Sequence, residues 1–203
     1  MIPTKEEIIQ IIKIHPLKIR NIFLFGSQIY GNQRDDSDYD FIVVACNMLE
    51  KQEIRHENLN IHVHTPDIFL NGLKEYQMNY LECIYAPTFA KIQEKMIQPD
   101  KNFSLKIDML KYKGMNQSFT AFHKAKERVL DGELYRGVKS MWHSFRILQF
   151  FKQIIDSGCI TDFASANHYW EMMKEDMEHH EDWDFYKEKY LPMKIELETS
   201  LNR

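Results

Sequence analysis

Apolar positions follow two regimes along this chain. Up to Pro99 they come in short runs and alternations, and beyond Asp100 they recur every three to four residues. In the first regime Thr4-Lys5-Glu6-Glu7 has capping-box spacing, Ile8, Ile9, Ile11 and Ile12 make one helix face, and Pro16 closes the helix. The run Ile22-Phe23-Leu24-Phe25 predicts a buried strand that stops at Gly26-Ser27. A polar loop with Gly31 and Asn32 as breakers leads to Ser37-Asp38-Tyr39-Asp40, and Phe41 to Val44 predict a second strand. Residues 47–58 are charged and irregular and read as an exposed connection. Asn60 to His64 alternates and predicts a third strand, followed by a helix from Pro66 through Tyr76. A short helix over Asn79 to Tyr85, stopped by Pro87, and an edge strand over Thr88 to Ile92 complete this part.

The second regime is helical throughout. Phe103 to Leu130 predicts one long helix or two, with Gly114 as the candidate break and Asp131-Gly132 as the end. Glu133 to Asp156 makes another, closed by Ser157-Gly158. Ser165 to Glu178 and Asp182 to Leu201 make two more, the last with Pro192 as a candidate kink. The fold class is therefore α+β, with an α/β domain over 1–99 and a helical domain over 100–203.

Composition narrows the classes of function. With 44% hydrophobic and 13% aromatic residues the chain can build a core and is not a disordered segment. A net charge of −4 supplies no global basic field for nucleic acid, which tilts slightly against long RNA. Cys46, Cys83 and Cys159 are odd in number and widely spaced, as buried thiols of a reducing compartment would be. Charges and Pro16 break the first eighteen residues, and no apolar run approaches ~20 residues, so the expected location is the cytoplasm, without a membrane partner.

The candidate chemistry lies between the first two strands. Alternation puts Asp38 and Asp40 on one side, about 7 Å apart. Such a pair suits Mg²⁺ or Mn²⁺, which take hard oxygen ligands and complete their shell with substrate phosphates. The Gly26-Ser27 turn offers backbone N–H groups and a hydroxyl to a phosphate. The competing reading is a surface hairpin with an acidic loop.

Gly-Ser, ten residues, then Asp-x-Asp between apolar strands resembles the nucleotidyltransferase superfamily that includes DNA polymerase β. The local form Gly-Ser-Gln-Ile-Tyr-Gly…Asp-Ser-Asp-Tyr-Asp is similar to the small nucleotidyltransferase proteins of bacteria and their viruses. That resemblance implies a small mixed-sheet, palm-like domain followed by a helical bundle, the layout of aminoglycoside nucleotidyltransferases. It implies transfer of an NMP, by family expectation AMP, from an NTP to a hydroxyl, with release of pyrophosphate. The acceptor could be an RNA 3′ end, a protein or a small molecule. Asp38 and Asp40 would hold the metal, and Gly26 and Ser27 would hold the β- or γ-phosphate. Tyr30 and Gly31 could shape that loop, although Tyr30 reads equally as a packing residue.

The superfamily pattern also has a third carboxylate on a neighbouring strand, and here the chain departs from it. The matching strand shows Asn60, His62 and His64. Three outcomes are open. His62 could act as general base, with His64 reading more simply as a surface histidine. Glu82, inside Asn79-Tyr80-Leu81-Glu82-Cys83-Ile84, could bring a carboxylate from a helix. Or the protein could be weak as a transferase and serve as a nucleotide sensor or a nucleotidyltransferase-like antitoxin. In the helical half Lys139, His143 and Arg146 fall on one helix face and match a Lys-x-x-x-His-x-x-Arg helix of the family, which implies a phosphate-binding role. A solvated polar face is the alternative there, and it is the preferred reading of His123, Lys124, Lys126 and Arg128. His179 to Asp182 read as an interhelical turn.

Overall fold

The computed structural model describes residues 2–34, 37–46, 51–95 and 104–202. The chain divides into two compact units, Met1–Ser104 and Leu105–Arg203. The change of regime at Pro99 and Asp100, and the predicted helix start at Phe103, lie outside the described residues, as do residues 47–50 of the connection.

In the first unit α1 (Lys5–Ile12) starts as its sequence dictates. Thr4 Oγ1 accepts from the Glu7 backbone N–H, and the Glu7 carboxylate accepts from the Thr4 N–H at 2.7 Å. After a 3₁₀ turn at Pro16–Lys18 come β1 (Ile19–Phe25), the four-residue α2 (Ser27–Tyr30) and β2 (Tyr39–Ala45). These are followed by β3 (Gln52–His56), β4 (Leu59–His64), α3 (Pro66–Lys74), α4 (Met78–Tyr85) and β5 (Lys91–Glu94). The strands form one mixed sheet in the order β3-β4-β2-β1-β5. Among the described strands only β2 and β4 run parallel; β1 pairs antiparallel with β2 and β5, and β3 pairs antiparallel with β4.

β3 corrects the sequence reading of an irregular connection. Its residues Gln-Glu-Ile-Arg-His show little burial, because the strand sits at the sheet edge and has no apolar face to display. The central strands behave oppositely. Ile22 to Leu24 and Phe41 to Ala45 are almost fully buried, which accounts for their continuous apolar runs.

Register sets one face of the sheet. Phe25 pairs with Asp40 and Phe23 with Ile42, while Asp40 pairs with Asn60, Ile42 with His62 and Val44 with His64. Facing residues share a side, so this face carries Asp40, Asn60, His62 and His64 together with Phe23 and Phe25. Helices α3 and α4 cover part of it. Phe69 stacks on Phe23 at 5.7 Å, and Tyr80 meets Phe69 at 5.1 Å and His64 at 5.5 Å between ring centroids.

The second unit consists of α5 (Ile107–Leu130), α6 (Leu134–Ser157), α7 (Asn167–Met177) and α8 (Trp183–Asn202). α6 is the central helix and packs on the other three. Gly114 does not break α5. A Cβ there would stand 2.9 Å from Phe151 Cγ, so the glycine lets α6 approach closely. α8 continues through Pro192. No helix among the described residues is long and apolar enough to cross a membrane.

Candidate active site

The site begins where β1 ends. Gly26 has φ +80° and ψ −155°, a conformation that glycine alone adopts readily, and it turns the chain into α2 with Ser27 at the first helical position. Close approach demands glycine as well: a Cβ on residue 26 would lie 2.8 Å from Asp40 Oδ2. The Gly-Ser turn is thereby packed directly against the aspartate's carboxylate. Asp40 is half-buried in β2, while Asp38 is exposed immediately before the strand. Arg34 and Ser37 brace the approach to the pair, with the Arg34 N–H donating to Ser37 Oγ at 2.8 Å and the Ser37 N–H donating back to the Arg34 carbonyl at 3.0 Å.

On the neighbouring strand Asn60 stands in register with Asp40, and its Nδ2 donates to Asp40 Oδ1 at 3.0 Å. The same Nδ2 lies 3.1 Å from His62 Nε2. An amide NH₂ only donates, so Nε2 is the acceptor and the imidazole proton resides on Nδ1. The lone pair a general base needs is therefore occupied by Asn60 in this arrangement. Asn60 is the residue that sequence reasoning passed over. Its signal was available, since it heads the polar face of the strand that runs beside the aspartates.

Glu82 bonds to the short helix that follows the Gly26-Ser27 turn. It is fully buried on α4, and Tyr30 Oη donates to its Oε2 at 2.5 Å, tying α4 to α2. Burial pushes its carboxyl well above the ordinary range, so the neutral acid is the stable form. Among the described residues no group of three His, Cys, Asp or Glu side chains is placed to hold a metal, so neither Glu82 nor His62 joins Asp38 and Asp40 in such a group. The aspartate pair by itself remains a fitting donor set for Mg²⁺, which commonly takes one or two protein carboxylates and fills its other positions with water and phosphate oxygens.

His64 is buried rather than a surface histidine, with its Nδ1 lacking a hydrogen-bond partner. Burial first, then the nearby His62 and Lys51, push its pKa down to about 4.

In the helical unit Lys139, His143 and Arg146 do share α6, but their surroundings differ. Lys139 is half-exposed. Arg146 is buried, its guanidinium lying 5.6 Å from the Trp142 ring centroid and 5.5 Å from that of Phe150, and burial lowers its pKa to about 9. His143 Nδ1 is buried without a partner, and its pKa falls to about 3 through burial and the positive charges of Lys139, Arg128 and Lys124. Arg128 crosses from α5 to donate to Ser140 Oγ at 2.8 Å. Lys124 and Arg128 thus join Lys139 around His143, a gathering that the separate helix patterns did not reveal.

Residues 6–78, from α1 to the start of α4, match the family model described as Polymerase beta, Nucleotidyltransferase. No curated protein sequence matches the chain. Two solved structures are similar over nearly its whole length. A nucleotidyltransferase-like protein from Exiguobacterium sibiricum 255-15 shares 15% identity, covering 98% of this chain and 72% of that one, with a TM-score of 0.37. The spectinomycin adenyltransferase AAD(9) from Enterococcus faecialis, solved with ATP and spectinomycin, shares 12% identity, covering 99% and 100%, with a TM-score of 0.49. The mixed sheet and the Gly-Ser turn seated on Asp40 lie within the residues that match the Polymerase beta, Nucleotidyltransferase family model, so this part of the chain is similar to that family.

Proposed function

We propose that the chain is a Mg²⁺- or Mn²⁺-dependent nucleotidyltransferase that moves an NMP, AMP by family expectation, from an NTP to a hydroxyl acceptor and releases pyrophosphate. The catalytic domain would span 1–99, with the helical domain over 100–203. The observation that supports this reading is the seat of Gly26 on Asp40, since a turn able to bind phosphate beside a carboxylate able to bind a metal is what the reaction needs.

In this reading the acceptor oxygen attacks the α-phosphorus, the bond to the β,γ-pyrophosphate breaks, and the acceptor proton passes to a site carboxylate. A divalent cation, when bound at Asp38 and Asp40, supplies charge neutralisation on the phosphates. The chain's own part is positional. Asn60 fixes the Asp40 carboxylate, and the Gly26-Ser27 turn orients the β- or γ-phosphate. Glu82 serves as a buried anchor for Tyr30 and hence for α2.

Asn60 also favours a second reading, a nucleotide-binding protein with weak transfer. It occupies the strand position facing Asp40 and brings N–H groups, where a carboxylate would bring another metal ligand. Pyrophosphate release from each of the four NTPs with Mg²⁺ or Mn²⁺, with cell extract as acceptor and the Asp38→Ala/Asp40→Ala variant as control, separates the two. Release by the wild type alone supports the transferase. NTP-dependent thermal stabilisation without release supports the binder, and neither result would discard both.

A further inference from the structure

Helix α5 of the second unit turns its bulkiest apolar side chains outward. Toward the bundle it buries Leu110, Gly114, Ser118, Ala125 and Val129, most of them small. Toward solvent it shows Tyr112, Phe119 and Leu130, which are 55%, 64% and 65% exposed, together with Met109. A surface helix normally does the reverse, hiding its large apolar groups and presenting polar ones. Single exposed apolar residues are ordinary, whereas an aligned set marks an interaction surface. These four are aligned. Asn116, His123 and Lys126 fill the gaps between them, and the run 109-112-116-119-123-126-130 alternates steps of three and four, the spacing of a heptad seam.

The seam is complementary to itself when a second copy runs antiparallel to the first. With the midpoint between Gln117 and Ser118, Asn116 meets Phe119 of the second copy, Tyr112 meets His123, and Met109 meets Lys126. Leu130 then reaches Leu105, which is exposed just before the helix begins. Each contact occurs twice, as a two-fold interface requires. Charge agrees with this direction. The Lys126 stem covers Met109 of the second copy while its ammonium comes beside Asp108, and both charged residues are exposed in the single chain. A parallel pairing would instead set Lys126 against Lys126, like charge against like charge. Asn116 near the middle is a polar seam position of the kind that fixes register at some cost in stability.

We propose that α5 is a self-association surface through which two copies of this chain pair, helix against antiparallel helix. The helix has 24 residues and is therefore about 36 Å long. Covering its aromatic, aliphatic and intervening polar seam residues on both copies removes roughly 1,000–1,400 Å² in total, at the lower end of stable interfaces. A reversible dimer with a dissociation constant on the order of micromolar fits that area. The proposal draws on the helical unit alone and stands whether or not the N-terminal unit transfers nucleotides.

The test is sedimentation velocity of the full chain from about 1 to 100 μM. The expected result is a reversible, concentration-dependent shift from the 24.4 kDa chain toward twice that mass. Tyr112→Glu and Phe119→Glu change exposed positions, so circular dichroism should show the fold intact, while dimerisation weakens at least about tenfold in each. Lys126→Asp should weaken it as well, by facing Asp108 with a like charge, and adding Asp108→Lys in the same chain should restore it. A chain that stays monomeric at about 100 μM overturns the proposal. So does a dimer indifferent to both aromatic variants, which uses another surface, and a double charge swap that restores nothing, which refutes the antiparallel register. A monomer that binds phosphatidylserine vesicles through Phe119 gives the stripe to a lipid surface and overturns it too.

Discussion

Replacing Gly26 with alanine should damage stability and the candidate site together, and the structure sets the size of the effect. The backbone at φ +80°, ψ −155° costs a side-chain-bearing residue about 1–3 kcal/mol. The new Cβ would also stand 2.8 Å from Asp40 Oδ2, closer than real Cβ contacts allow. A shift of the Asp40 carboxylate would disturb its hydrogen bond from Asn60, a loss of about 1.5–3 kcal/mol for a charged acceptor. The expected destabilisation is therefore about 2.5–6 kcal/mol, a large share of the roughly 5–15 kcal/mol that holds a typical domain folded. Gly31→Ala is the internal control. Its φ is also positive, at +75°, but nothing lies within 4 Å of its Cβ position, so only the left-handed penalty of about 1–2 kcal/mol applies. Urea unfolding should show a midpoint shift for Gly26→Ala at least twice that for Gly31→Ala with an unchanged slope, and Mg²⁺–NTP affinity should fall in Gly26→Ala. Equal midpoint shifts for the two variants would refute the contact between the turn and the carboxylate as the cause.

Asp38→Ala alters an exposed residue, so stability should stay within about 0.5 kcal/mol while NTP-dependent thermal stabilisation in Mg²⁺ disappears; retained stabilisation would remove Asp38 from the site. Tyr30→Phe strips the donor from the buried Glu82 and should cost about 1–3 kcal/mol by urea titration, whereas Glu82→Gln keeps an acceptor and should preserve turnover. Abolished turnover in a folded Glu82→Gln protein would instead make Glu82 a reacting group. Because the folded-state pKa of Glu82 is raised, the native protein holds its proton where the unfolded chain has lost it. The stabilisation is whole below about pH 4.3 and drains away as pH rises toward the folded pKa. Glu82→Gln should flatten that decline. His143 has the opposite sign. With its pKa lowered to about 3, its contribution is complete above about pH 6.5 and is lost as pH falls toward 3. His143→Leu should therefore weaken the acid sensitivity of the helical unit, followed by circular dichroism from pH 7 to 3, and an unchanged acid transition would exclude His143 as its source.

What could be read from the residues alone was whatever has a local cause. The Thr4–Glu7 capping box, the stop at Gly26 and the Gly158 close of α6 are local matters of backbone chemistry, and each stands where the sequence put it. The turn-and-aspartate motif was legible for the same reason. Distant pairings were not. Tyr30 and Glu82 are 52 residues apart, and neither side chain's neighbourhood names the other. Gly114 read as a helix break because its reason lies on the neighbouring helix, in Phe151. Of the α5 cations read as a solvated face, His123, Lys124 and Lys126 are exposed, and Arg128 departs from it by turning to Ser140 on the neighbouring helix. Asn60 looked like the absence of an acid, and only strand pairing shows it holding the carboxylate opposite.

β3 has a consequence for how the molecule behaves in a crowd. A sheet edge displays unpaired N–H and C=O groups that another chain can adopt as a template. Here that strand is five residues long, with Glu53 and Arg55 forming an ion pair at 2.8 Å and only Ile54 half-buried. The opposite edge, β5, is four residues long and carries Lys91 and Glu94. An incoming strand would have to cover these charges while gaining almost no apolar contact, so the sheet ends in self-limiting borders that discourage fibrillar growth.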